Sequence, residues 1–502
     1  MKPQVVFMGN HLQGMLQSGA DWQVQSMDWG IPGGSNAAVI SAPVQDPNAI
    51  SLRLIRSWLG QAVSIHNPAG EIIWRGWIEE IHLDVQRLRF GWSTQKLLSR
   101  VIARYPQVSP LLDPLSSWTY TDWVEHPQRL EQLGAKETLL SLREVDPNKA
   151  RHAAAMQLLQ QGLDDNQTLV LLPQKRAPQL SMRLKGCWHR LDWTLDGEES
   201  GLIAHLPGGK SQQAFGLSGS ERLAQSFTTG AESFGLGQMG LRIAMLGAAS
   251  DDLRLKICAD NAGVPGTELA SSLLPNIYLQ GGWRWQTWLL DAPLVLNANT
   301  HYWLVLERSG ALDSSQYYEV ETDDGRGYLD GECKRWNGSS WILLNQDLRF
   351  CLLAMTETTE LMLEVGERAV LGGVLQGVQI WQESGIWMPR WREIERTRKE
   401  ALEDWLALGC ADESPLSALV NADGVLEVFQ LPREIEPALQ LDAEGNLHLP
   451  NGIADAHPLD LLGRRMQLPL MEAEQKQVVK GLRWTEVGAK HLKIDMVDHP
   501  EF

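Results

Sequence analysis

The feature that most constrains the fold is a series of short, turn-separated strand patterns in the middle of the chain. From about residue 206 to residue 355, apolar and polar residues alternate over short stretches, with turns such as Asn261-Ala262-Gly263 between them. No convincing helix separates these stretches, and such spacing is typical of an antiparallel β-sandwich. The predicted strands are Met239–Met245, Leu253–Cys258, Trp283–Leu289, Tyr302–Glu307, Tyr317–Val320, Trp341–Leu344 and Asp347–Leu353.

A β-hairpin is the clearest pattern in the N-terminal region. In the segment VSIHNPAGEIIWRGWIEEI, Val63 and Ile65 face Ile73, Trp74 and Trp77 across a Pro-Ala-Gly turn. Apolar residues that face each other in this way stabilise paired strands, so we predict two antiparallel strands here.

Two helices are predicted between this hairpin and the sandwich. Thr94 is the expected N-cap of a short helix, Thr94–Val101. Asp146-Pro147 is expected to start a longer helix through KARHAAAMQLLQQGL. Strands are predicted at Thr168–Leu172, at Gln179–Leu184 and within LKGCWHRLDWTL.

After residue 360 the pattern of the N-terminal region returns. Strands are predicted at Leu371–Trp381 and Gly385–Arg392, followed by a helix, Glu393–Leu408, that ends at Gly409. The segment SALVNADGVLEVFQL predicts a hairpin, and Gly481–Val497 supplies the last strands.

These patterns predict a mainly β protein with a few helices, a β-rich α+β class in which a β-barrel/α+β scaffold is interrupted by the sandwich. A chain of 502 residues is too long for one hydrophobic core. We assign residues 1–125 to a β-barrel domain, 126–206 to a helix-plus-strands domain, 207–355 to the inserted sandwich and 356–502 to an α+β domain. Excising the insert and joining Leu206 to Thr356 should leave a folded scaffold.

Composition argues against several classes of function. The net charge of −18 disfavours nucleic-acid binding, and the longest apolar runs are far too short to span a membrane. The N-terminus has no apolar signal segment, which indicates synthesis in a cytosol. The five cysteines are widely spaced, so reduced thiols are expected, and a Cys333–Cys351 disulfide is disfavoured.

Tryptophan is unusually frequent, with 21 residues against 8 Phe and 7 Tyr. Most are expected to be core residues, but Trp side chains also serve as stacking platforms for sugars. In the strand predicted around residue 285, Trp283 and Trp285 share one face and Trp288 lies on the other. We therefore take Trp283, Trp285, Trp336 and Trp341 as candidates for glycan stacking, beside the alternative that each is a core residue.

The sequence shows no pattern of catalytic residues. Adjacent acids such as Glu79-Glu80 point to opposite faces of a strand and cannot flank a glycosidic bond together. No nucleophile elbow, phosphate-binding loop or zinc-protease motif is present, so neither an enzyme nor a cofactor is expected. Asp323, Asp324 and Asp330 are weak candidates for calcium binding, with solvated turns as the favoured interpretation.

Two resemblances to known families bear on the fold and the function. The segment around Trp58-Leu59-Gly60, followed by VSIHNPAGEIIWRGWIEEI, resembles the first barrel of tail-tip and baseplate hub proteins of tailed bacteriophages. The segment ALEDWLALGCADESPLSALVNADGVLEVFQL resembles the later domains of those hubs. Residues 207–355 resemble jelly-roll domains of the choice-of-anchor type, akin to carbohydrate-binding modules, through Asn261–Gly266, Pro293-Leu294, Thr300–Val305 and Trp336–Trp341.

The resemblances imply a virion structural protein that assembles in the host cytoplasm. It would act as a hub or adaptor between tail tube and fibres, as a homo-oligomer, expected to be a trimer, in contact with other tail proteins. The sandwich would contact host surface polysaccharide or only decorate the tail. The alternatives are a distal-tail or side adaptor protein with an inserted binding module, and a polysaccharide-degrading enzyme with a lectin-like domain.

Overall fold

A computed structural model of the chain describes residues 3–8, 22–44, 52–106, 118–143, 146–163, 167–198, 200–206, 211–215, 222–279, 282–309, 315–323, 325–431, 439–441, 447–448, 462, 465–467, 477–485 and 491–498. The fold is mainly β, with several antiparallel sheets and a few helices, which confirms the predicted class. No helix of the described residues is long and apolar enough to cross a membrane.

The elements that precede the sandwich are mostly strands. The helices are α1 (Leu52–Ser57), α2 (Pro127–Leu133) and α3 (Pro147–Leu163). The strands are β1 (Gln4–Met8), β2 (Gln23–Gly30), β3 (Gly33–Pro43), β4 (Ala62–His66), β5 (Ile72–Ser93), β6 (Arg100–Pro106), β7 (Trp118–Tyr120), β8 (Val124–Glu125), β9 (Glu137–Ser141), β10 (Gln167–Gly186), β11 (Leu195–Glu198) and β12 (Leu202–His205).

The predicted N-terminal hairpin is confirmed as the antiparallel pair β4 and β5, although Val63 lies opposite Gly76 and not opposite one of the three residues predicted. Ile65 lies opposite Trp74, and both side chains are buried in the hydrophobic core of the N-terminal sheet, which we call the first core. The second half of β5 turns back on the first at Gln86, whose φ of 55° lies in the left-handed region. Asp84 and Arg89 then form an ion pair at 2.6 Å across the turn. This reversal was not predicted.

Strand β10 joins the two strands predicted at 168–172 and 179–184 into one element. Residues Gln167–Leu171 pair with the end of β5, whereas Gln179–Lys185 pair with β3 on one side and with the earlier part of β5 on the other. The strand predicted within LKGCWHRLDWTL is wrong over Cys187–Trp193, which forms a 3-10 helix. This helix buries Trp188, Leu191 and Trp193.

The predicted helix Thr94–Val101 is also wrong. Residues 94–99 form a connection, and β6 begins at Arg100. The buried Lys136 amine donates hydrogen bonds to the backbone oxygens of Thr94 and Gln95. This connection is therefore in contact with a residue about forty positions away in the sequence.

The second predicted helix is confirmed as α3. The Asp146 carboxylate accepts a hydrogen bond from the backbone N–H of Asn148 at 2.9 Å. This contact satisfies one of the free donors at the helix start. Ala150, Ala154 and Leu158 face a small core beneath β6.

The predicted sandwich consists of a seven-stranded and a six-stranded sheet, in which every predicted run overlaps a strand. After β12, the strands of the sandwich are β13 (Ser211–Phe215), β14 (Arg222–Thr228), β15 (Phe234–Leu246), β16 (Leu253–Asp260), β17 (Pro265–Leu274), β18 (Arg284–Leu296), β19 (His301–Arg308), β20 (Tyr317–Thr322), β21 (Cys333–Trp336), β22 (Trp341–Leu343) and β23 (Phe350–Glu357). The order is β12-β23-β15-β20-β13 in the first sheet, with β18 and a later strand alongside, and β17-β16-β19-β14-β21-β22 in the second. One large apolar core lies between the two sheets.

The last part of the chain starts with a helix that was not predicted. The helices are α4 (Thr358–Leu371) and α5 (Arg398–Leu408). The strands are β24 (Gly377–Ile380), β25 (Trp387–Pro389), β26 (Arg392–Thr397), β27 (Leu416–Val420), β28 (Val425–Gln430), β29 (Leu439–Leu441), β30 (Leu447–His448), β31 (Arg465–Gln467), β32 (Gln477–Thr485) and β33 (His491–Asp498).

Several boundaries in this region correct the predictions. The helix expected from Glu393 starts at Arg398, because Thr397 and Glu400 form a capping box there. The residues before it form β26, and Leu371–Trp381 is a strand only over Gly377–Ile380. The helix end at Gly409 and the hairpin β27–β28 are confirmed.

The two ends of the chain share one sheet. Strand β2 pairs with β32, and β3 pairs with β27, so strands from before and after the sandwich are hydrogen-bonded to each other. The sandwich is joined to this scaffold through its seven-stranded sheet, because β12 and β25 both pair with β23. The assigned domain boundaries stay predictions. All five cysteines are free.

Candidate functional site

The four candidate tryptophans lie on two different sheets of the sandwich. Trp285 lies in β18, in the seven-stranded sheet, and Trp283 immediately precedes that strand. Trp336 and Trp341 lie in β21 and β22, at one edge of the six-stranded sheet. All four are half-buried. Because the sandwich core separates the two sheets, the four side chains do not form one site.

Within β18, Trp285 and Trp288 lie on opposite faces as predicted, whereas Trp283 precedes the strand, so its shared face with Trp285 stays a prediction. Trp288 is fully buried in the core, and its indole N–H donates to the backbone oxygen of Leu253 at 3.2 Å. Trp285 faces outward, beside the glycine at position 240. The Arg349 guanidinium lies 5.7 Å from the centre of the Trp285 ring. Trp285 is therefore held by its own sheet and leaves part of one ring exposed.

Trp336 and Trp341 form a cross-strand pair. They are direct partners in the β21–β22 ladder, and their ring centres lie 5.6 Å apart at an angle of 58°. The turn between them is ordered by Asn337, whose side-chain oxygen accepts backbone hydrogen bonds from Ser339 and Ser340. This pair stabilises the hairpin and also presents adjoining aromatic surface.

A line of paired residues connects the Trp pair with the opposite edge of the sheet. Leu273 pairs with Arg254, Arg254 with Glu307, Arg222 with Trp336 and Trp336 with Trp341. An ion pair of 3.4 Å between Arg222 and Glu307 completes the line. Their neighbours Leu255, Leu306 and Leu223 are buried in the core, so the line faces outward. We call Leu273, Arg254, Glu307, Arg222, Trp336 and Trp341 the outer row.

Charges next to the outer row are fixed by ion pairs. The Lys256 amine lies 2.6 Å from Glu307 and 3.0 Å from Glu268. Burial alone would lower the pKa of Lys256, but the hydrogen bonds to Glu307 and Glu268 outweigh it and raise the pKa. Since Glu307 also pairs with Arg222, these charged groups are pre-oriented.

A buried tryptophan supports the exposed pair from below. Trp303 is fully buried on the outer face of the sheet, in a small cluster with Ala224, Cys258 and Val305, and Trp341 packs against this cluster. The Trp303 indole N–H donates to Asp260 at 2.7 Å. The Lys334 amine lies 5.0 Å from the centre of the same ring. Trp341 therefore packs on buried side chains of the same sheet.

The calcium candidates are not brought together in the described residues. The Asp323 carboxylate is buried and accepts backbone hydrogen bonds from Asp347, Gly325 and Gly327, and His205 Nε2 lies 2.9 Å from it. Burial alone would raise the pKa of Asp323, but these hydrogen bonds outweigh it and lower the pKa. Asp330 is exposed, and Asp324 lies outside the described residues. No group of three or more His, Cys, Asp or Glu that could hold a metal occurs among the residues that were described.

The Trp pair was predictable from the sequence, but its partners were not. Arg222, Glu307 and Trp303 come next to Trp336 and Trp341 only through the order of strands β19, β14, β21 and β22. The signal available in the sequence was the alternation in HYWLVLER, which places Trp303, Val305 and Glu307 on one face.

Comparison with known proteins gives no assignment. No family model matches the chain, and no curated protein matches it. Weak similarity exists to the cysteine protease and lectin-like domains of Cwp84, a surface-layer-associated protein of Clostridium difficile, with 10% identity over 38% of this chain and 40% of that chain and a TM-score of 0.22. The Cry4Aa toxin of Bacillus thuringiensis has 8% identity over 64% and 56% of the two chains, with a TM-score of 0.16. The structure of infectious bursal disease virus, Gx strain, has 9% identity over 66% and 76%, with a TM-score of 0.15. At such TM-scores none of these similarities supports a conclusion about function.

Proposed function

We propose that the protein is a non-enzymatic structural subunit of a phage tail tip or baseplate. In this role the scaffold acts as hub or adaptor between tail tube and fibres, as a trimer in contact with other tail proteins. Support comes from the sequence resemblance of the N-terminal hairpin. The pairing of β2 with β32 also supports it, because strands from before and after the sandwich then belong to one sheet.

The sandwich is proposed to contact host surface glycans through the outer row. The observation that carries this proposal is the arrangement of the Trp336–Trp341 pair beside the ion-paired Arg222 and Glu307. Sugar rings stack on aromatic faces, and charged groups of fixed orientation donate to or accept from sugar hydroxyls. A single weak site becomes effective when several copies act on one particle.

The glycan contact is tested on an array of bacterial surface polysaccharides, with fluorescently labelled protein as the probe. We expect Trp336→Ala to reduce binding at least tenfold and the matched variant Trp285→Ala, on the opposite sheet, to leave it unchanged. Loss of binding in Trp285→Ala alone would move the site to the seven-stranded sheet. If the unmodified protein binds no polysaccharide on the array, the proposed glycan contact is refuted.

The position in the particle is tested by a density map of assembled tails. Three-fold symmetry at this subunit supports the hub, whereas six-fold symmetry supports the distal-tail alternative. The enzymatic alternative is tested with the same polysaccharides, by measuring the release of reducing ends. Turnover by the purified protein would refute the non-enzymatic role.

A further inference from the structure

The turn of the β21–β22 hairpin holds the side chain of Asn337 in one orientation. The Asn337 Oδ1 oxygen accepts hydrogen bonds from the backbone N–H of Ser339 and of Ser340, both at 2.9 Å, and from the Ser339 hydroxyl at 3.0 Å. Because these donors lie farther along the chain, the Asn337 side chain folds back over the turn. Residues 337–340 are all exposed, so water reaches this amide.

Three donors on one carbonyl oxygen favour nucleophilic attack on the carbon that carries it. Attack at the Cγ atom of Asn337 moves negative charge onto Oδ1 in the tetrahedral intermediate. Donors that already point at this oxygen stabilise the charge without reorganisation, as the oxyanion hole of an acyl-transfer enzyme does. The Asn337 amide is therefore activated as an electrophile by its own turn.

The nucleophile is the backbone nitrogen of the next residue, Gly338. This residue has a φ of 101°, in the left-handed region that favours glycine, so the turn itself selects a residue without a side chain. Since Gly338 has no Cβ atom, its own side chain cannot hinder the approach of its nitrogen to Cγ of Asn337. Both reacting groups belong to one turn, so the reaction is unimolecular and no second molecule has to be positioned.

Two other hairpin turns provide a comparison within the same chain. Asn67 and Asn421 also start such turns, and the Oδ1 oxygen of each accepts two backbone hydrogen bonds. However, Asn67 precedes Pro68, whose nitrogen carries no hydrogen and cannot act as the nucleophile. Asn421 precedes Ala422, whose Cβ atom hinders the approach. Of these three turns, that of Asn337 alone combines an activated amide with an unhindered nitrogen.

We propose that Asn337 is a site of spontaneous covalent modification, at which the Gly338 nitrogen attacks Cγ of Asn337. The new N–C bond closes a cyclic imide (succinimide), the Cγ–Nδ2 bond breaks, and the proton of the attacking nitrogen leaves with Nδ2 as ammonia. Water then opens the ring at either carbonyl, which yields aspartate or iso-aspartate. Water is the only co-reactant, and the proposal does not depend on the proposed tail function.

Both products change the hairpin at one end of the outer row. Each adds a negative charge to the turn between Trp336 and Trp341. Iso-aspartate also leads the main chain through the former side chain and lengthens it by a carbon atom. This shifts the ladder in which the two Trp residues are direct partners. The surface around the Trp pair therefore changes as the protein ages.

The first test is peptide mass spectrometry of the folded full chain after incubation in mildly alkaline buffer made with heavy-oxygen water, which labels newly formed products. We expect labelled aspartate and iso-aspartate at position 337 and none at Asn67. Conversion at Asn337 should be at least about tenfold faster than at Asn421, since hindered approach of a nucleophile costs at least this factor.

An unchanged Asn337 would overturn the proposal, whether or not Asn451, the other asparagine that precedes a glycine, is converted. Conversion at Asn337 that is no faster than at Asn421 would overturn it as well.

The second test asks whether the turn activates the amide. Ser339→Ala removes the hydroxyl donor but keeps both backbone donors, and it should slow conversion at Asn337 about threefold, as expected for one weak hydrogen bond. The matched control Ser340→Ala keeps all three donors and should convert at the rate of the unmodified protein. Equal rates in the two variants, each with a native circular dichroism spectrum, would contradict the proposed activation.

Discussion

The backbone oxygen of Gly201 accepts a hydrogen bond from the backbone N–H of Ala354 at 2.8 Å, so the residues that flank the sandwich are in direct contact. Next to this contact β12 and β23 form an antiparallel pair, in which Leu202 lies opposite Leu353. A segment whose ends adjoin can be removed without stretching the rest of the chain. The contact offers a second junction for excising the sandwich, at 201 and 354, beside the predicted one at Leu206 and Thr356.

The first prediction follows from this junction. Deleting residues 202–353 and joining Gly201 to Ala354 through two glycines should leave a soluble scaffold with a cooperative thermal transition. This deletion keeps Met355–Glu357, which pair with β25. The comparison is a deletion of 207–355, which leaves β12 without β23 and removes Met355. Circular dichroism should show the second protein melting at a lower temperature. If the first deletion protein is unfolded, the sandwich is an integral part of the scaffold.

The second prediction concerns the close approach of β10 to β3. A Cβ atom added at Gly186 would lie 1.5 Å from the backbone oxygen of Ser35, so Gly186→Ala must displace a strand of the first sheet. We expect a loss of unfolding free energy on the order of 3 kcal/mol, measured by urea denaturation. Gly230→Ala is the control, because nothing lies within 4 Å of the added atom. Equal stability of the two variants would contradict the described register.

The third prediction is a pH dependence centred on His189. Burial, with smaller contributions from Lys185 and Lys399, lowers the pKa of His189 from 6.5 to about 4. Between these values the unfolded chain binds a proton that the folded chain does not, so stability is full above pH 6.5 and falls as the pH decreases toward 4. The loss should reach at most about 3 kcal/mol.

Urea unfolding at several pH values between 4 and 7 tests this dependence. His189→Gln should flatten the curve over this range, because the group that titrates is gone. His152→Gln, at an exposed position of α3, should keep the slope of the unmodified protein. A His189→Gln protein with that same slope would assign the dependence to other groups.

Local patterns predicted those elements whose determinants are close in sequence. The pairing of Ile65 with Trp74 follows from alternation and a turn, and the start of α3 follows from the Asp146 cap. The connection at 94–99 could not be predicted, because the Lys136 amine that holds it comes from a distant part of the chain. Likewise, the sequence predicts separate strands at Glu71–Ile81 and Leu88–Trp92 but no turn between them, and the Asp84–Arg89 ion pair that spans the reversal at Gln86 is visible only in the structure.

The candidate site shows the same limit. Trp336 and Trp341 are close in sequence, and their pairing across a short turn was predictable. Their contact with Arg222, more than 100 residues earlier, depends on β21 pairing with β14. The separation of Trp285 from Trp336 depends on which strands join which sheet, and alternation alone does not contain that information.

The fourth prediction is that Trp341 stabilises the hairpin, whereas Trp336 contacts the ligand. Trp341 packs on the buried cluster around Trp303, whereas Trp336 lies beside the half-exposed Arg222 side chain. Trp341→Ala should therefore cost about 2 kcal/mol of unfolding free energy, which is less than the loss of a fully buried aromatic group because Trp341 is half-buried. Trp336→Ala should cost less than half of that, since it removes only one ring of a surface pair. Urea denaturation of both variants under the same conditions gives the two values.

If Trp341→Ala is the more destabilising variant, a binding defect in Trp336→Ala reports on the ligand contact. The matched variant Trp336→Phe should then restore part of the binding. The reverse order of stabilities would show that Trp336 anchors the hairpin and that Trp341 is the free ring.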